Sequence, residues 1–125
     1  MNDRTLKDIA IDFLRLAANG QAREAYARHV GAGFRHHNPH FRGDAESLQQ
    51  GMAANAAKNP NKVLQVHKAL QDGDQVALFS HVKQQPSDRG AAVVHIFRFE
   101  GQRIVELWDV GQAVPEQSVN DNGMF

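Results

Sequence analysis

The sequence predicts an α+β domain, three helices followed by an antiparallel sheet, and three observations carry that prediction. Apolar residues recur with a helical period up to Lys58 and at every second position from residue 62 onward. The links between the alternating segments are short and rich in turn residues. A chain of 125 residues with no internal repeat or low-complexity linker has room for one core, so a single domain over residues 1–125 is expected, with 110–125 as a C-terminal tail.

The first helix is read over residues 3–19, where Leu6, Ile9, Phe13 and Leu16 form an apolar stripe widened by Ala10, Leu14 and Ala17. Asn19-Gly20 supplies its stop. A second, shorter helix covers Gln21 to Val30, ended by Gly31 and Gly33. Between Phe34 and Phe41 the chain must run extended, because Pro39 has no amide donor and disfavours helical geometry at Asn38. Asp44 then caps a third helix, Ala45 to about Lys58, with Leu48, Met52, Ala53 and Ala56 inward. Asn59-Pro60-Asn61 ends it. Strands are expected over Val63 to Leu70, Val76 to Gln84, Ala91 to Glu100 and Arg103 to Val110.

Composition removes several classes of function. Fourteen basic residues balance fourteen acidic ones, so the chain lacks the concentrated positive charge that nucleic acid or an anionic membrane surface demands. The N-terminal residues are too charged for a leader peptide, and no apolar run approaches a membrane span. With no cysteine there is no disulfide framework or thiolate chemistry. A cytoplasmic protein without nucleic-acid or membrane partners is expected.

Histidine carries the chemistry that remains. Of seven histidines, His81 and His95 lie within apolar strand patterns, while His36, His37 and His40 surround Asn38-Pro39. The third strand places Val93, His95, Phe97 and Phe99 on one side and Val94, Ile96 and Arg98 on the other. Both sides are largely apolar, so both must be covered. Helices can cover one; the other needs a further sheet, a long tail or a second subunit, of which a homodimer is the simplest. Arg98 is expected to pair with Glu106 across the Gly101 turn, and Trp108 to face away from the helices.

A buried imidazole must find a hydrogen-bond partner or carry a cost, so a satisfied core histidine is the competing reading for His95. If the strands bring His81, His95 and Asp109 onto one concave face, two imidazoles and a carboxylate converge in an apolar cleft, a pattern suited to proton transfer. The run His36 to His40 invites a metal reading, but Pro39 spoils the helical spacing and no carboxylate stands at ligand spacing. No metal and no cofactor are assigned.

Five blocks in order carry a family resemblance: Phe34-x-x-His37-Asn38-Pro39, Asp72-Gly73-Asp74 with Ser80-His81-Val82, Ile96-Phe97-Arg98-Phe99-Glu100-Gly101, Ile104-Val105-Glu106-x-Trp108-Asp109, and Asn120-x-Asn122-Gly123-Met124-Phe125. Together they resemble the SnoaL-like, polyketide-cyclase branch of the NTF2-like superfamily. The resemblance implies a cone in which three N-terminal helices close a curved antiparallel sheet of about four to six strands, dimeric through the outer sheet face. It also implies cofactor-free removal of a proton next to a carbonyl, as in an aldol cyclase, isomerase or lyase. On that reading His95, His81 and Asp109 are catalytic, with His37, Asn38, Phe79, Phe97 and Leu107 around the substrate. Two positions depart from the pattern, since relatives carry Asp where His95 stands and His where Leu107 stands. The expected ligand is a small hydrophobic carbonyl compound. The alternatives are a binding module without chemistry and a dimerisation unit whose cone is filled by its own side chains.

Overall fold

The computed structural model describes residues 4–125, so Asp3, the first residue of the expected helix, lies outside the described residues. Helix α1 spans Leu6–Ala18 and starts in a reciprocal cap: the Asp8 amide donates to Thr5 Oγ1 at 3.1 Å and the Thr5 amide to Asp8 Oδ2 at 3.3 Å. Helix α2 is Ala22–His29. Helix α3, Ala45–Lys58, is capped by Asp44, whose Oδ2 accepts from the Ser47 amide at 3.0 Å. Ala53 points to solvent rather than inward, and the buried stripe of α3 is Leu48 and Ala56.

Five strands follow the order β1-β5-β4-β3-β2, with β1 at Val30–His36, β2 at Val63–Asp72, β3 at Gln75–Lys83, β4 at Ala91–Glu100 and β5 at Arg103–Ala113. Strands β2 to β5 form the expected antiparallel meander. Strand β1 is an addition. It pairs parallel to β5, with His36 opposite Leu107, so the sheet is mixed. The glycines read as helix stops lie inside this strand, and Gly33 at φ +76° sits where the β1 register slips between Val30 and Arg35.

The helices cover one face of the sheet, termed inner. There Ile9, Phe13 and Leu14 of α1, Tyr26 of α2 and Leu48 of α3 pack on Leu78, Phe97, Phe99, Ile104 and Leu107. Phe13 bridges the layers, with its ring 5.3 Å from Tyr26 and 5.9 Å from Phe97. Part of the outer face is covered by the chain's own C-terminus, where Phe125 stacks on His81 and His67 and lies 5.6 Å from Phe79. No helix among the described residues is long and apolar enough to cross a membrane.

Candidate functional site on the inner face

Strand register decides which polar groups meet. His95 of β4 stands between Leu78 of β3 and Asp109 of β5, and its burial beside Phe97 puts all of them on the inner face. Asp109 is held from the side by Asn38, whose Nδ2 donates to Asp109 Oδ2 at 3.0 Å. Asn38 is itself fixed: its amide donates to His36 Nδ1 at 3.0 Å, and its Oδ1 accepts from the His40 amide at 2.9 Å. His36 in turn donates through Nε2 to the Arg42 carbonyl at 2.5 Å. Both nitrogens of His36 are thereby committed to the loop.

His95 is the uncompensated member of this group. It is 9% exposed and its Nδ1 has no hydrogen-bond partner among the described residues. Burial depresses its pKa to about 4; Asp109 acts in the opposite direction and Lys62 adds to the depression. The imidazole is therefore neutral at pH 7. Beside it lies a cavity of about 150 Å³ walled by Leu14, Ala17, Met52, Leu64 and Val93, with Lys62 and Val82 also contributing. Tyr26 is buried nearby, donates from Oη to Met52 Sδ at 3.6 Å, and is kept protonated by burial and by Asp109.

Three expected site residues sit elsewhere. His81 opposes Ala92, which puts it on the opposite face from His95; its Nε2 donates to the Arg89 carbonyl at 2.7 Å and its ring stacks on Phe125 at 4.1 Å. The convergence of His81 with His95 is thus corrected, because side chains on a strand alternate and the β3–β4 register gives the two histidines opposite parity. Phe79 shares the outer face with His81. His37 turns to that side as well, bonding Glu106 Oε2 at 2.6 Å and stacking on Trp108 at 4.9 Å. Phe97 and Leu107 oppose each other on the inner face as core residues and do not line the cavity.

Glu106 organises the outer side. Arg35 and Arg98 each reach it at 3.0 Å, the second being the pair expected across the Gly101 turn. These partners and His37 draw its pKa down to about 2 against a residual burial penalty. The carboxylate lies close to the surface and is covered by its own partners rather than by apolar depth.

Sequence reasoning missed Lys62, Met52 and Tyr26 as site residues. For Lys62 a signal existed. It stands two positions before Leu64, and extending the alternation of β2 back by one residue puts both on the cavity side.

The family model for the SnoaL-like domain matches residues 10–107. The chain belongs to the SnoaL-like domain family. Among solved structures, this SnoaL-like chain superposes on an NTF2-like protein of unknown function from Cytophaga hutchinsonii with a TM-score of 0.70 at 19% identity, over 89% of this chain and 93% of that one. A SnoaL-like protein of unknown function from Burkholderia thailandensis gives 0.70 at 14% identity, over 86% and 93% respectively. A candidate polyketide cyclase from Acidithiobacillus ferrooxidans gives 0.66 at 16%, over 90% and 92%. At these identities the likeness is one of fold. No curated protein matches the sequence significantly.

Proposed function

We propose that this SnoaL-like chain binds a small, largely apolar carbonyl compound in the inner-face cavity and acts on it by general acid–base chemistry. The observation that carries the reading is the Nδ1 of a buried, neutral His95 at the wall of that cavity, without a hydrogen-bond partner among the described residues. A cavity of about 150 Å³ suits a group the size of benzene, so the ligand is a single ring or short chain, or the end of something larger. His95 takes a proton from the carbon beside the carbonyl. The imidazolium that forms faces Asp109 across the strand pair, and Asn38 holds that carboxylate in place.

A nitrogen whose conjugate acid has a pKa of about 4 is a weak base, and this favours a second reading, a binding site without turnover. Deuterium exchange into the carbon next to the carbonyl of cyclopentanone, followed by NMR in heavy water, separates the two. Wild-type protein should accelerate exchange, and His95→Gln should slow it by roughly a hundredfold or more. Thermal stabilisation by the ketone without exchange leaves the binding reading alone. Neither stabilisation nor exchange removes both.

We also propose that the outer face, with Val94, Ile96 and a Val110 that is 70% exposed, pairs with a second copy beyond the patch that Phe125 covers. Light scattering at micromolar concentration should report a dimer, and Val110→Lys should shift it to monomer.

A further inference from the structure

We propose that Lys62 is a covalent site of the inner-face cavity, where its Nζ condenses with the carbonyl carbon of an aldehyde or ketone to form an imine. The inference rests on the proposed carbonyl-binding cavity and adds a bond to it. Lys62 is the one lysine among those that line this cavity, and it shares the wall with His95. Its Nζ is held at the inner end of the turn after α3 by Asn55 Oδ1, which accepts from it at 2.6 Å. The Lys62 amide donates to the Asn59 carbonyl at 3.1 Å, which fixes the backbone carrying the side chain.

The surroundings suit this chemistry. Only an unprotonated amine attacks a carbonyl, and a lysine in an apolar pocket is the usual way to supply one. Leu14, Ala17, Ala18, Leu64 and Val93 provide that pocket, and burial lowers the Lys62 pKa from its ordinary value. Among the described residues no carboxylate pairs with the ammonium; its partner is the neutral amide of Asn55.

The step balances without oxidant or reductant. The Nζ lone pair forms a bond to the carbonyl carbon as the C=O π electrons move to oxygen. A proton passes from nitrogen to that oxygen, and the neutral His95 is placed to carry it. The remaining N–H proton then passes to the hydroxyl, which leaves as water while the nitrogen electrons form the C=N bond. Once protonated on nitrogen, the imine withdraws electrons from the neighbouring carbon more strongly than the carbonyl did, which eases the proton removal assigned to His95.

The test is reductive trapping of the full-length chain with benzaldehyde and sodium cyanoborohydride at neutral pH, followed by peptide mapping. Benzaldehyde fits the cavity dimension and has no hydrogen on the carbon next to its carbonyl, so imine formation is read without later proton transfer. One benzyl group should appear on Lys62, roughly tenfold or more ahead of Lys7, Lys58, Lys68 and Lys83, the advantage of a held amine over a free one. Lys62→Met should lose that label and keep the slow background. Label spread evenly over the five lysines of the wild type overturns the proposal, and this holds whether or not the variant folds. Benzyl alcohol, which cannot form an imine, is run in parallel by thermal shift. If it stabilises the protein while Lys62 stays unlabelled, the covalent step is wrong and the cavity reading stands. If it fails to stabilise and Lys62 stays unlabelled, both fall.

Discussion

On the inner face of the sheet, His95 is enclosed by apolar side chains, with one ring nitrogen unpartnered among the described residues and its pKa pressed down to about 4. On the outer face, His81 sits on the neighbouring strand, donates to the Arg89 carbonyl and lies flat under Phe125. Glu106, also facing outward, is held by three cationic or polar partners. The same residue types thus take different roles according to which side of the strand they project from. Outward polar groups are spent on holding structure together. The inward imidazole is left unspent, and an unspent buried polar group in a native fold is where chemistry is sought.

The largest test of this contrast concerns packing. Phe97 is fully buried on the inner face against Phe13, so Phe97→Ala should cost about 3–5 kcal/mol in urea denaturation, the range for emptying an aromatic core site. Phe79→Ala, on the outer face, should cost about 1 kcal/mol or less. Equal losses would mean that the two faces are equally core-like and that the outer one is not a surface.

A smaller effect separates the two faces by pH. An unfolded His95 takes up its proton below the ordinary value of 6.5, while the folded one stays neutral until about 4. The stability contribution is therefore complete above pH 6.5 and drains away as pH falls toward 4, by up to about 3 kcal/mol. Glu106 acts in a lower window: its folded pKa near 2 against an ordinary 4.5 makes its contribution complete above 4.5 and lost as pH falls toward 2. His95→Leu should flatten the stability profile between pH 6.5 and 4 without touching the lower limb. It should also raise stability at pH 7 by about 1 kcal/mol, since it removes an unsatisfied buried nitrogen. A steep loss between pH 6.5 and 4 that survives in His95→Leu would place the buried neutral histidine elsewhere.

The fold and the site were legible to different depths. The helices, their caps at Asp44 and Asn19, and the four meander strands follow from local periodicity and turn chemistry, which act within a few residues. Strand β1 escaped because its pairing with β5 spans some seventy residues of chain and its glycines look like helix stops. The same distance problem governs the site. That His95 and Asp109 project to one side, and that Arg98 meets Glu106, follows once the tight β4–β5 turn is placed. The parity of His81 against His95 instead depends on the longer link over residues 84–90, where the sequence does not count off the register. A slip of one residue there exchanges the faces, so the sequence alone does not say which side His81 takes.

The smallest effect belongs to the C-terminus. Phe125 is 41% exposed, yet its ring contacts His67, Phe79 and His81 at 4.9, 5.6 and 4.1 Å. A half-exposed aromatic on a sheet surface contributes little to global stability, so Phe125→Ala should cost less than about 1 kcal/mol. Its local signature should be larger than its energy: the ring-proton shifts of His67 and His81 in NMR should move as the stacked ring leaves, while those of His95 stay in place. The sheet that separates these histidines is a packed layer between the two faces, and a disturbance confined to the outer one has no route through Leu78 and Phe97 short of repacking them. Movement of the His95 signals in Phe125→Ala would show that the faces communicate, and that the tail is part of the site from which the sheet separates it.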